Sequence, residues 1–124
     1  ISAFPFPNTV VITKLKGSQV KKIFDHAAGM TNGILQVSEN VRYSFSPGNT
    51  AQKIVINGEL LNDNQEYWVA APNFVTQGGD GYLEFNNSLE YIDSGVLVVD
   101  ATEFFLKSIE TYQPKYDGRI EVLD

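Results

Sequence analysis

The pattern of hydrophobic and polar positions predicts that strands and helices alternate irregularly along the chain. β-Branched residues crowd positions 8–15 and the stretch ends at Gly17, which is typical of a strand. From Ser18 the apolar residues recur at i, i+3, i+4, i+7 and i+8 until Gly29. This spacing predicts an amphipathic helix of about ten residues directly after the first strand.

The middle of the chain has the pattern of short strands joined by turns. Positions 41–45 alternate apolar and polar residues, and positions 53–56 form a second predicted strand. Asn57-Gly58 follows, and Asn-Gly between apolar stretches is the strongest short-range signal of a hairpin. Positions 67–71 are continuously apolar. We therefore expect a central strand there, covered on both faces.

The last quarter of the chain predicts a second helix and a terminal strand. Asp100 and Glu103 form an Asp-x-x-Glu start signal, and we expect the helix to run to about Tyr112, before Pro114. Positions 119–123 can pair as a strand. The expected fold is α+β, with about two main helices packed on a mixed sheet in a single domain over residues 1–124.

The composition is that of a folded, acidic domain. Hydrophobic residues make up 43% of the chain and charged residues 19%, which excludes disorder. No apolar run approaches the roughly 18–20 residues that span a bilayer. Nine Lys and Arg against fifteen Asp and Glu give a net charge of −6, the wrong sign for wrapping a polyphosphate backbone. We therefore expect no membrane span and no nucleic acid polymer as a partner.

Residues suited to self-contained catalysis are scarce. The absence of cysteine excludes disulfides, cysteine-bound zinc, iron–sulfur clusters and thiol catalysis, and it tilts the prediction toward export. The one histidine, His26, has no marked partner for a Ser–His–Asp triad or a metal hydrolase site. The chain therefore has the character of a binding domain. Because it begins with Ile1, we expect a processed chain or a piece of a longer protein.

A glycine-rich loop is the most unusual segment. Three of the ten glycines fall within four residues around Asp80. Such a loop lets backbone approach a ligand closely, and a carboxylate offers two acceptor oxygens to vicinal hydroxyls, which favours a sugar or a cation. The spacing is not that of a phosphate loop. A tight turn capped by the aspartate is the alternative, and the residues alone leave both hypotheses open.

A second candidate is the extended N-terminal stretch, where Phe4 and Phe6 alternate with prolines. The two rings could anchor the core, or they could form a stacking platform for a planar ligand such as a nucleobase. The sequence pattern alone does not choose between these roles.

Five segments in a consistent order carry a resemblance to a known family. They are residues 5–11, 15–26, 33–38, 56–59 and 73–82. The stretch Asn-Phe-x-x-x-Gly-Gly-Asp-Gly-Tyr in the last segment is the most specific. Together the segments resemble the C-terminal domain of the 5′-nucleotidases and UDP-sugar hydrolases, in which an N-terminal two-metal phosphoesterase domain is followed by a domain that holds the nucleotide.

The resemblance implies a site for a nucleobase. Phe6 and Phe74 resemble the two aromatic rings that clamp the base in that family. Asn8 is similar to the asparagine that reads the base edge, and the backbone near Gly33 lies beside the same site. An apolar sandwich of this kind agrees with the stacking platform considered above.

The resemblance also implies a site for the ribose. Asp80, framed by Gly78 and Gly79, resembles the carboxylate that binds the ribose hydroxyls. The family's phosphate-reading arginines and metal ligands lie upstream of the matched segments, before Ile1. These 124 residues alone are therefore expected to bind no cofactor and to be non-catalytic, and the two divalent metal ions belong to the missing catalytic domain.

Two functional hypotheses follow from the resemblance. The first is the substrate-recognition domain of an exported 5′-nucleotidase-type enzyme, periplasmic, secreted or at the cell surface. Its partners are a nucleotide or nucleoside and the parent's N-terminal metallophosphoesterase domain. The second is a stand-alone binding or surface interaction module of the same fold that hydrolyses no nucleotide.

Overall fold

The computed structural model describes residues 8–30, 35–46, 50–107 and 118–123. The described residues group into two compact units. The first unit is drawn from Ile1–Leu15 and Trp68–Lys115, and the second from Lys16–Tyr67 and Tyr116–Asp124. The prediction of a single domain over residues 1–124 stays a prediction.

The first unit contains a sheet of three strands: β1 at Thr9–Lys16, β5 at Glu66–Pro72 and β6 at Glu90–Leu97. Their order in the sheet is β5-β1-β6. β1 and β6 run antiparallel, with Thr13 opposite Tyr91. Alternate residues of β1 are buried, as its β-branched pattern predicts, since successive side chains of a strand point to opposite faces. β1 therefore forms the centre of this sheet.

β5 lies at an edge of the sheet, so the prediction of a central strand over positions 67–71 is wrong. Trp68 on this strand is 54% exposed. The ammonium of Lys14 lies 5.1 Å from the centroid of the Trp68 ring, a cation–π contact in place of an apolar covering layer. A short apolar run does not by itself reveal how many strands flank it, and this is why the pattern misled.

The segment between β5 and β6 folds as short helical turns where the sequence predicts only a loop. α2 is a single helical turn at Asn73–Thr76, and two 3₁₀ turns follow at Gly79–Gly81 and Leu83–Asn87. β6 is also absent from the sequence prediction. Its polar stretch contains Gly95 at a φ of 73°, which breaks the alternation that would mark a strand.

The second predicted helix begins two residues earlier than expected. α3 covers Val98–Lys107 directly after β6. The rest of the predicted helix, positions 108–112, lies outside the described residues. Asp100 occupies the first turn, where a negative charge interacts favourably with the helix dipole.

The described residues of the second unit form a helix and a sheet of four strands. These elements are α1 at Gly17–Gly29, β2 at Val41–Phe45, β3 at Ala51–Ile56, β4 at Glu59–Leu60 and β7 at Ile120–Val122. The order of the strands in the sheet is β4-β3-β2-β7. β2 pairs antiparallel with β3 and parallel with β7, so this sheet is mixed. Asn57 and Gly58 have φ values of 53° and 81°, which confirms the predicted hairpin turn.

The core of the second unit is aromatic and aliphatic. The buried face of α1 has the spacing that its sequence predicts. Phe24 on this face meets Tyr43 of β2 edge to face, with ring centroids 4.9 Å apart, and Tyr43 stacks on Phe45 at 5.8 Å. The backbone N–H of Lys16 donates to the Gln19 side chain at 2.7 Å and so satisfies a donor at the start of the helix. The predicted α+β class, with a mixed sheet and few helices, is confirmed.

Candidate functional site

Five of the predicted site residues lie in the described part of the chain, and all five belong to the first unit. They are Asn8, Phe74, Gly78, Gly79 and Asp80. The other two, Phe6 and Gly33, lie outside the described residues. The roles predicted for all seven stay predictions.

A hydrogen bond between distant parts of the chain joins the neighbours of Asn8 and Phe74. The backbone N–H of Thr9 donates to Oδ1 of Asn73 at 3.3 Å, across 64 positions of sequence. The carbonyl of Asn8 accepts from the N–H of Val98 at 2.8 Å. The structure therefore brings the backbone of the predicted base-reading asparagine to the helical turn that carries the predicted stacking ring.

Two hydroxyl groups, those of Thr76 and Tyr91, form hydrogen bonds at the turn that carries Phe74. Thr76 is 1% exposed, and its hydroxyl donates to the carbonyl of Asn73 at 3.2 Å. The hydroxyl of Tyr91, on β6, lies 2.8 Å from the same Thr76 oxygen. Because the single Thr76 hydroxyl proton is directed to Asn73, Tyr91 is the donor of the second bond.

Phe74 packs against a glycine that leaves no room for a side chain. A Cβ placed on Gly79 would lie 2.2 Å from the carbonyl oxygen of Phe74 and 3.3 Å from its ring carbon Cδ2. Only glycine allows this approach of the two backbones. The Phe74 ring is 47% exposed. The Cδ2 side of Phe74 thus packs against Gly79, and the rest of the residue is exposed to solvent.

The loop itself is a tight, hydrogen-bonded turn in which Asp80 has a left-handed backbone. Gly78 has φ 98°, and Asp80 has φ 56° and ψ 23°. Aspartate is one of the few residues that tolerate this region. The N–H of Gly81 donates to the carbonyl of Gly78 at 3.1 Å. The turn geometry is compatible with both of the hypotheses that the sequence left open.

Asp80 is exposed, and its charge is felt by a buried neighbour. Burial raises the pKa of Tyr82 above its ordinary value of 10.0, and the negative charge of Asp80 raises it further. Tyr82 is therefore protonated at neutral pH. Asp80 adds an exposed carboxylate acceptor to a loop whose Gly79 packs against the exposed Phe74, and an aromatic ring with a carboxylate suits a ligand that has a planar group and hydroxyls.

The structure also identifies residues near the loop that the sequence did not single out. Asn73 lies within the matched motif, but its contact with the N–H of Thr9 carries no local signal. Leu83 is exposed, and its Cδ2 would lie 3.2 Å from a Cβ on Gly78. Tyr91 carries no local signal, because its contact with Thr76 depends on the pairing of β6.

The described side chains do not fit a metal centre. Within residues 8–30, 35–46, 50–107 and 118–123, no three His, Asp or Glu side chains come together as ligands. Among those same residues, no helix has both the length and the apolar character to cross a membrane.

The described residues fold as a small α+β protein with a glycine-rich loop. The family model described as the 5′-nucleotidase C-terminal domain matches residues 1–87. The chain belongs to this family, and the resemblance read from the sequence is confirmed.

Relatives and solved structures agree with this assignment. The chain is 30% identical to human 5′-nucleotidase over 135 residues, which cover 97% of this chain and 24% of that protein. It is also 30% identical to the trifunctional nucleotide phosphoesterase of Bacillus subtilis, over 98% of this chain and 9% of that protein. The crystal structure of a 5′-nucleotidase precursor from Thermus thermophilus superposes with a TM-score of 0.87 at 26% identity, over 98% of this chain and 26% of that one. The chain thus spans about a quarter of the human and Thermus proteins, and less of the Bacillus protein.

Proposed function

We propose that this chain is the substrate-recognition domain of a 5′-nucleotidase-type hydrolase. Phe74 stacks on the nucleobase, and Asp80 accepts hydrogen bonds from the ribose hydroxyls. The loop glycines Gly78 and Gly79 let the backbone approach the nucleoside closely.

The observation that carries this proposal is the packing of the Phe74 ring against Gly79. The loop that fixes one part of the ring also presents the carboxylate of Asp80, one residue further along. A base and its ribose are likewise joined by one bond, so a ligand that stacks on the ring has its sugar close to its base. An aromatic ring and a carboxylate carried by one short segment therefore support a nucleoside better than a free sugar or a cation.

The remainder of the nucleoside site rests on family membership. Phe6 forms the opposite side of the base clamp, Asn8 reads the base edge, and the backbone of Gly33 lies beside them. The hydrogen bond from Thr9 to Asn73 supports the part assigned to Asn8, because it holds the adjacent peptide at the start of the Phe74 turn.

Hydrolysis belongs to the parent protein. We place the phosphate ester chemistry in an N-terminal metallophosphoesterase domain with two divalent metal ions, so that these 124 residues bind and orient the nucleotide without cleaving it. We also assign the parent to the periplasm, the secreted fraction or the cell surface. The similarity to a protein described as a precursor and to a snake venom 5′-nucleotidase supports that assignment.

The proposal is tested by titrating the full chain with adenosine and following NMR chemical shifts. Replacing Phe74 by Ala removes a base stack worth about 1–3 kcal/mol, so affinity is expected to fall roughly 5- to 150-fold. Trp68→Ala is the matched control, because Trp68 is an aromatic residue of similar exposure on the sheet of the same unit. The control is expected to bind adenosine as the wild type does.

The sugar contact has its own test. Asp80→Asn keeps the shape of the side chain and removes its charge, and charge-assisted hydrogen bonds of about 1.5–3 kcal/mol predict a loss of roughly 10- to 150-fold. 2′,3′-Dideoxyadenosine should bind the wild type as weakly as adenosine binds the variant, with no further loss when the two changes are combined. Asp63→Asn is the control for a change of surface charge. If neither Phe74→Ala nor Asp80→Asn alters adenosine binding, the stand-alone module without a nucleotide role is the better description.

A further inference from the structure

We propose that Tyr91 is a positioning residue whose hydroxyl, acting through Thr76, sets the orientation of the Phe74 ring and so the strength of base stacking. This inference rests on the proposed nucleoside site and adds to it a residue outside the glycine loop and outside the matched segments of the family resemblance.

A chain of hydrogen bonds links Tyr91 to α2 through Thr76. The Tyr91 hydroxyl donates to the Thr76 hydroxyl at 2.8 Å, and Thr76 donates to the carbonyl of Asn73 at 3.2 Å. Asn73 in turn accepts the N–H of Thr9 through its side chain. These bonds therefore involve Asn73 and Thr76, the first and last residues of α2, and Phe74 lies between them.

α2 is too short to be stable as an isolated helix. It has four residues, and isolated helices shorter than about 12–15 residues are marginal in water. Two backbone bonds close its C-terminal end, from the N–H of Gln77 to the carbonyl of Asn73 at 2.9 Å and from the N–H of Gly78 to the carbonyl of Val75 at 3.0 Å. The direction of the Phe74 side chain therefore depends on contacts that the turn receives from its surroundings.

Tyr91 lies on β6, a strand whose position is fixed by its pairing with β1. It lies opposite Thr13 in the register of β1 and β6. Thr13 is fully buried, and its hydroxyl donates to the carbonyl of Val69 on β5 at 3.0 Å. All three strands of the sheet are thus joined by hydrogen bonds, and the bond from Tyr91 to Thr76 links that sheet to the turn.

The exposure of Tyr91 separates positioning from general stability. Tyr91 is 44% exposed, so Tyr91→Phe removes one hydroxyl from a half-exposed residue and keeps the aromatic ring. The expected effect of Tyr91→Phe is a reorientation of Phe74 with little change in the melting temperature.

The test is a double-mutant cycle on the full chain, with adenosine as the probe. Tyr91→Phe is expected to weaken adenosine binding about three- to tenfold, the range that one hydrogen bond spans. In a Phe74→Leu background the same change should have no further effect, because no ring remains to be oriented. Thr76→Val should behave as Tyr91→Phe does, and Thr76→Ser, which keeps the hydroxyl, should restore wild-type binding.

Tyr67→Phe is the matched control. Its hydroxyl also makes one described hydrogen bond, accepting the N–H of Asn62 at 2.9 Å, but Tyr67 lies at the start of β5, in the part of that strand that groups with the second unit. Its removal should leave adenosine binding unchanged. An equal loss from Tyr91→Phe in the wild-type and Phe74→Leu backgrounds would overturn the inference, and so would no loss in either.

A second measurement separates this inference from the proposed function. The ring resonances of Phe74 report its orientation with no ligand present. If the wild type does not bind adenosine, the nucleoside proposal fails, and a shift of those resonances in Tyr91→Phe still supports the positioning role. If the resonances of Phe74 are the same in wild type and Tyr91→Phe, the positioning role is refuted.

Discussion

The two units differ in the side chains that they bury and in how many large hydrophobic side chains they expose. In the second unit, α1 and the mixed sheet bury Phe24, Tyr43 and Phe45 in one aromatic cluster. In the first unit, the largest fully buried side chains are two apolar residues, Val11 and Leu15, and two hydroxyl residues, Thr13 and Thr76. Of the nine large hydrophobic residues that are exposed among the described positions, seven lie in the first unit: Trp68, Phe74, Leu83, Leu89, Tyr91, Ile92 and Val96.

This difference separates residues that stabilise the fold from residues that lie at the surface, where the proposed function places the ligand. Apolar burial stabilises both units, and the first unit adds buried hydroxyl hydrogen bonds beneath a surface on which aromatic rings remain exposed. A domain whose task is to present a stacking ring needs such a surface, since a ring buried in the core cannot meet a base.

The comparison predicts its largest effect at Phe24. Phe24→Ala removes the ring that packs on Tyr43, and truncation of a buried Phe costs about 3–5 kcal/mol. Phe74→Ala, at a partly exposed ring, should cost about 1 kcal/mol or less in unfolding free energy while it abolishes most of the base stacking. Urea unfolding of both variants measures the contrast. Equal destabilisation by the two changes would remove the distinction drawn between the units.

The next effect in size is expected at Gly79. Gly79→Ala places a Cβ against the carbonyl of Phe74, and such overpacking typically costs about 1–3 kcal/mol. The ring resonances of Phe74 should move as well. Gly29→Ala, at the end of α1, is the control, because nothing lies within 4 Å of the added methyl group. A neutral result at both positions would show that the loop can move away from Phe74 freely.

A smaller effect is expected from alkaline titration of Tyr82. Its pKa is raised in the folded chain, so the folded state holds the phenolic proton more tightly than the unfolded state does. This contribution to stability is full below the ordinary tyrosine pKa of 10.0 and is lost as the pH rises through the folded-state pKa.

The measurement is the free energy of unfolding against pH, from pH 9 upward, in wild type and Tyr82→Phe. The difference between the two curves should change above about pH 10. In Asp80→Asn the change should be smaller, because one of the two causes of the shift is gone. Parallel curves for wild type and Tyr82→Phe would contradict the raised pKa.

The smallest effect is expected on the exposed face of the first sheet. Lys14 lies over Trp68 and pairs with Glu90 at 3.1 Å. Lys14→Gln removes a cation–π contact and a surface ion pair, each worth about 0–1 kcal/mol at exposed sites. Fluorescence of the single tryptophan should change, and the stability difference should shrink in high salt. Unchanged Trp68 emission would place the ammonium away from the ring.

Local patterns predicted the second unit well. The helical spacing after Ser18, the alternation at Val41–Phe45 and the Asn57-Gly58 turn each depend on a few neighbouring residues, and all three are confirmed. The sheet of the first unit was harder to predict because its elements are defined by partners far away in sequence. β6 exists through its pairing with β1, and β5 is an edge strand because the sheet stops there.

The same reasoning applies to the candidate site. The glycine loop and Phe74 were recognisable because the motif is contiguous. The hydrogen bond from Thr9 to Asn73 and the one from Tyr91 to Thr76 join residues 64 and 15 positions apart, so no local pattern indicates them. Sequence therefore points to the groups that would meet the ligand, and the structure adds the groups that hold them.

The left-handed backbone at Asp80 has a consequence for how this position can vary among related proteins. Glycine, asparagine and aspartate occupy such a conformation with the least strain, so few substitutions are tolerated without a change of the loop. An Asp-to-Asn replacement is one of those few, and it keeps the shape while it removes the charge. A lineage could therefore lose the sugar contact in one mutational step with its fold intact, and relatives with asparagine here are expected to share the architecture but differ in the ligand they retain.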